Sequence, residues 1–117
     1  MRVFVYRNLT RKCWSVKALD GPKKGRVIAH PVEIVLADAT FKVSEAGRQR
    51  VLRQRQRNVH AGIVGTLCDA PDSLTPAEEV CYNPYRAPTF TSRDGTPLVA
   101  SVPYVYFSAD GRAYLTV

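Results

Sequence analysis

Histidine and cysteine are scarce in this chain. There are two histidines, His30 and His60, and three cysteines, Cys13, Cys68 and Cys81. The cysteine count is odd and holds no Cys-x-x-Cys, which excludes a secreted disulfide framework. The spacing of these five residues fits no zinc pattern, so neither a metal nor a cofactor is expected. No run of about 18 apolar residues occurs, so no membrane-spanning helix is expected and no membrane partner is assigned. Arg2-Val3-Phe4-Val5-Tyr6 reads as a strand and not as a signal peptide. These features together predict a cytoplasmic protein with reduced thiols. Lys23-Lys24-Gly25-Arg26 lacks the glycine and hydroxyl spacing of a P-loop.

Acidic residues are also in short supply: 10 Asp and Glu stand against 17 Lys and Arg, for a net charge of +7. The imbalance lies entirely in one half. Residues 1–60 carry 14 basic and 4 acidic side chains, whereas residues 61–117 carry 3 and 6. Of the 17 basic residues, 12 are Arg. Arginine presents a planar fork of donors that matches phosphate and stacks on bases, so an anionic partner is expected, with nucleic acid the commonest. A solubility surface is the alternative, but it would use more Lys and a more even spread.

What the chain does contain suits a single domain over 1–117. Hydrophobic residues make up 45% of its 117 residues, enough for one core. The pattern predicts an α+β fold, mainly antiparallel sheet arranged as a meander or a partly open barrel, with one Arg-rich surface helix. Strands are expected near 3–9, 13–19, 26–30, 33–43 and 59–67. Residues 68–78 read as a loop and 79–82 as a short strand. A C-terminal meander is expected over 88–92, 96–101, 103–107 and 112–117. Two Ser-x-Asp-Gly turns, at Ser92–Gly95 and Ser108–Gly111, mark its hairpins. Trp14 shares a face with Val16 and Ala18 and should be buried with an acceptor for its indole N–H, while Ser15 and Lys17 share the other, polar face.

The most specific feature is the stretch 45–57. Ser44 can cap a helix, and Arg48, Arg50, Arg53, Arg55 and Arg57 follow among good helix formers. At 100° per residue Arg50, Arg53 and Arg57 share one face, while Arg48 and Arg55 lie nearer Val51 and Leu52. A strand is the competing reading, because Arg and Gln also alternate. So dense a row of like charge costs helix stability, which an anionic partner offsets. The expected nucleic-acid site is therefore Arg50, Arg53 and Arg57, helped by Lys23, Lys24 and Arg26. RNA and DNA are not distinguished. A solvated face with no partner is the bland reading.

Aromatics crowd the last third: Tyr82, Tyr85, Phe90, Tyr104, Tyr106, Phe107 and Tyr114, interleaved with Arg86, Arg93 and Arg112. Base stacking is one use of such a set. Core and cross-strand packing is the reading favoured by the alternation of Tyr104 and Tyr106 with Val105 and Phe107. No catalytic residue is assigned. A small basic RNase-like hydrolase, with His60 as base beside the helix arginines, is a further reading.

Two stretches carry a resemblance. Val3-Phe4-Val5-Tyr6-Arg7-Asn8-Leu9 with Cys13-Trp14-Ser15-Val16, and Phe41-Lys42-Val43-Ser44 with Asn58-Val59-His60-Ala61-Gly62, resemble small accessory proteins carried by bacteriophages and prophages. The likeness covers residues 1–67. It implies host takeover, counter-defence or nucleic-acid handling, and transfers no site residue. The rival to nucleic-acid binding is thus a regulator that blocks an acidic or nucleic-acid-binding host protein.

Overall fold

A computed structural model describes residues 1–55, 58–68 and 75–116. Alternating β-branched and aromatic side chains extend β1 (Arg2–Asn8), which turns back into β2 (Cys13–Ala18). The short β3 (Val27–Ala29) follows, then the long β4 (Ile34–Val43). After the helix α1 (Glu45–Gln54) come β5 (Ala61–Cys68), β6 (Pro76–Val80), β7 (Val102–Phe107) and β8 (Ala113–Thr116). They form one sheet in the order β3-β2-β1-β5-β4-β7-β8-β6, and every pairing among the described residues is antiparallel. The fold is α+β, mostly antiparallel sheet, with a single helix among the described residues. None of them forms a helix long and apolar enough to cross a membrane.

The sheet is open but strongly curled. Trp14 on β2 and Phe107 on β7 lie four strands apart in the order, which in a flat sheet would separate them by roughly 19 Å. Their ring centroids are instead 4.9 Å apart, edge to face. The indole Nε1–H of Trp14, 5% exposed, donates to the Ser108 carbonyl at 2.9 Å. The inner face of the curl is the core: Val3, Val5, Val16, Leu36, Ile63, Val105 and Phe107. A register shift with Asp38 at φ +48° bends β4 within that curl.

The helix starts as expected. Ser44 accepts from the Gly47 N–H at 3.1 Å, and Glu45 in the first turn binds Arg48 and Gln49. It ends early, because Arg55 turns left-handed (φ 52°) and its N–H closes on the Val51 carbonyl. Arg57 lies outside the described residues.

Three other expectations are corrected. Residues 88–92 and 96–101 form no strands; only the isolated bridges Cys81–Thr91 and Thr91–Pro97 remain. That hairpin keeps its Ser92–Gly95 turn and two bonds across it, Ser92 N–H to the Thr96 carbonyl at 2.9 Å and Leu98 N–H to the Phe90 carbonyl at 2.8 Å; in the same register Pro88 would fall opposite Ala100, where it has no N–H for a further rung. Part of the loop expected over 68–78 is strand, since β6 begins at Pro76 on the sheet edge, where a proline is tolerated. Ser15, expected on the polar face, is fully buried, with its hydroxyl accepting from Asn8 and sharing a hydrogen bond with His30 Nδ1.

Candidate nucleic-acid interface

The period-2 alternation of β1 splits it in two. Val3 and Val5 point into the curl, and Phe4 and Tyr6 point out. Antiparallel register extends the outward row across four strands. Phe4 faces Lys17 of β2 on one side and Val64 of β5 on the other, and Lys42 of β4 faces Gly62 of β5. The Phe4 and Tyr6 centroids are 5.9 Å apart and the rings tilted by 41°. Gly62 is what lets the Phe4 ring lie across β5, because a Cβ there would overlap the ring.

Above this row is a groove of about 540 Å³. Phe4 and Tyr6 line it with Lys17 and Lys42, and Val59 and His60 border it near the helix. No Asp or Glu is among its lining residues. One end is formed by Gly25 of the basic turn after β2 and Val27 of β3; the other by Ser44, the cap of α1. The basic turn is held by Lys24 N–H to the Gly21 carbonyl at 3.2 Å and Arg26 N–H to the Lys23 carbonyl at 3.0 Å. That leaves Lys23, Lys24 and Arg26 exposed.

The structure divides the helix arginines. Arg50 and Arg53 are exposed, and neither forms an ion pair among the described residues. Arg48 folds back, its Nε–H donating to the Pro84 carbonyl at 2.9 Å and its Nη1 meeting Glu45 at 3.0 Å. Arg55, expected beside the packed Val51 and Leu52, is exposed at the left-handed helix end. Of the residues named from sequence, Arg50, Arg53, Lys23, Lys24 and Arg26 stand on the two segments that end the groove.

Sequence reading missed the groove itself. Phe4, Tyr6, Lys17 and Lys42 were visible as alternating residues, but only the cross-strand register shows that they share a face. For the aromatics of the last third, packing is the reading the sequence favours. Tyr82 and Phe90 pack together at 4.9 Å, and Phe41 meets Phe90 at 5.6 Å. Tyr106 and Tyr114 stack as a cross-strand pair, their hydroxyls donating to Glu33 and Asp110 at 2.8 Å each. Packing accounts for Tyr82, Phe90, Tyr106, Phe107 and Tyr114, whereas Tyr85 is exposed.

His60 is engaged on both sides. Its Nδ1 lies 3.0 Å from Asn58 Oδ1 and its Nε2 2.6 Å from the Tyr82 hydroxyl. A base role would first have to break one of these bonds. Burial, and then Glu79, push the Cys81 thiol up, opposite to what a thiolate nucleophile needs. No group of metal-ligating side chains occurs among the described residues.

Comparison with known proteins gives a consistent result. No solved structure matches the chain. The gene 82 protein of Mycobacterium phage L5 is 41% identical over 117 residues, covering 95% of this chain and 93% of that protein. A family model described as "Mycobacterium phage L5 gene 82 protein" matches residues 1–115. The chain belongs to the family of the Mycobacterium phage L5 gene 82 protein.

Proposed function

We propose that this phage-family protein binds single-stranded nucleic acid through the outer groove. One observation carries the reading: an aromatic pair, Phe4 and Tyr6, lies between Lys17 and Lys42 in a groove without acidic lining, and the segments that end it carry Lys23, Lys24, Arg26, Arg50 and Arg53 exposed and without an ion pair among the described residues. Stacking platforms beside a basic track are how unpaired strands are held without sequence preference. Bases would rest on Phe4 and Tyr6. Phosphates would meet Lys17 and Lys42, with Lys23, Lys24, Arg26, Arg50 and Arg53 extending the track at both ends. A duplex would gain only the charge contacts, because its bases are already stacked.

The test is fluorescence anisotropy with a labelled single-stranded oligonucleotide and a duplex hairpin of equal length. Tyr6→Leu and Phe4→Leu should each weaken the single strand by about 1–3 kcal/mol, the usual worth of one stacked base, and leave duplex affinity nearly unchanged. Equal losses on both substrates, or none, would remove the aromatic pair from the site. A wild type that binds neither, yet retains one protein from nuclease-treated lysate, would favour an acidic protein partner.

A further inference from the structure

A second cavity, of about 470 Å³, reaches inside the curl, where Val5, Trp14, Ile63 and Phe107 line it. Its walls are mainly apolar, with Trp14, Val80 and Phe107 among them, and Arg7 and Arg112 reach it from opposite sides of the curl. Arg7 comes from β1, where alternation turns it inward opposite Trp14. Its guanidinium lies 5.2 Å from the Trp14 ring centroid. It fits against Gly111, where a Cβ would stand 3.1 Å from both Cζ and Nη2. Gly111 also has φ +86°, so the hairpin turn and the space for the guanidinium rest on the same residue.

The guanidinium is incompletely satisfied. Arg7 Nη1 is buried and has no hydrogen-bond acceptor among the described residues. A buried cationic donor without a partner is a costly arrangement. The neighbouring carboxylate, Glu79, is already shared between Arg112 at 3.7 Å and Arg93 at 3.9 Å. Positive charge therefore exceeds negative around an apolar chamber of the size that small ligands occupy.

We infer that this cavity binds a small ligand with an apolar, ring-sized body and one anionic head group, the head meeting Arg7 and the body lying against Trp14, Val80 and Phe107. Tyr6, Val59 and His60 border both this cavity and the groove, but Arg7, Trp14, Val80 and Phe107 line the cavity alone, and the inference does not rest on nucleic-acid binding.

The probes are 8-anilinonaphthalene-1-sulfonate and its neutral counterpart N-phenyl-1-naphthylamine, titrated against folded protein. Wild type should bind one equivalent of the sulfonate and prefer it to the neutral probe. Arg7→Gln should weaken the sulfonate at least tenfold and change the neutral probe less than twofold. Lys17→Gln with Lys42→Gln, in the groove, should leave the sulfonate unaffected. Location is read independently in wild type: Cys81 lines the cavity and Cys68 does not. The sulfonate should therefore slow iodoacetamide labelling of Cys81 and not of Cys68. If Arg7→Gln fails to fold, the preference for the sulfonate and the protection of Cys81 decide. Equal affinity for the two probes, or binding without protection of Cys81, would overturn the inference.

Discussion

Trp14 shows how far a single residue could be read from its neighbours. Its place on an alternating strand predicted burial and an indole acceptor, and both are present. The acceptor, Ser108, is 94 residues away, and no local pattern names it. Trp14→Ala removes the contact with Phe107 and leaves a cavity where the curl closes. It should cost about 3–5 kcal/mol in urea unfolding. A loss under 1 kcal/mol would mean that the curl closes without it. Asp94 gives a second residue-scale prediction. The Ser92 hydroxyl, and then the Thr96 N–H, pull its carboxyl down from 3.8 to about 2. A depressed folded-state value stabilises the turn above the unfolded value and loses that stabilisation as pH falls through the folded one. The turn should therefore hold at pH 4 and open toward pH 2, as followed by the Thr96 amide shift. An Asp94 titration near 4 would contradict the geometry.

At the scale of elements, legibility followed local determinants. The N-terminal strands and the helix start carry their signals within a few residues, as alternation and as Ser44 with Glu45. The helix end does not, because Gln and Arg at 54–57 are all good helix formers and Arg55 nevertheless turns left-handed. The lost strands at 88–101 show the reverse case, in which a correctly read Asp-Gly turn keeps only the bridge Thr91–Pro97, and Pro88 has no N–H for a further rung. Gly47 in α1 sets propensity against packing. Replacing a helix Gly by Ala adds at most about 1 kcal/mol of helix stability in the first turn, where Gly47 stands. Here the new Cβ would stand 2.6 Å from the His60 Cβ. Overpacking of that kind costs about 1–3 kcal/mol, so Gly47→Ala should be net destabilising in thermal unfolding. A stabilised variant would show that α1 moves freely against the segment before β5.

For the molecule as a whole, the sequence revealed the charge but not its address. Residues 1–60 carry the excess, yet the groove draws Lys17 from β2 and Lys42 from β4, with β1 and β5 between them. Such an arrangement depends on strand order and register, both set by long-range pairing that one sequence does not display. The Arg-rich helix, the most visible feature of the sequence, borders the groove through its cap Ser44 and places none of its arginines in the lining.

That placement is open to one direct measurement: the salt dependence of single-stranded oligonucleotide affinity. For single strands each neutralised phosphate contributes a slope of about 0.7 in log K against log salt. Lys17→Gln with Lys42→Gln should lower the slope by about 1.4, and Arg50→Gln with Arg53→Gln by no more than that, all variants remaining folded. Wild-type slope in the groove variant, alongside a lowered slope in the helix variant, would place binding on the helix alone and contradict the account.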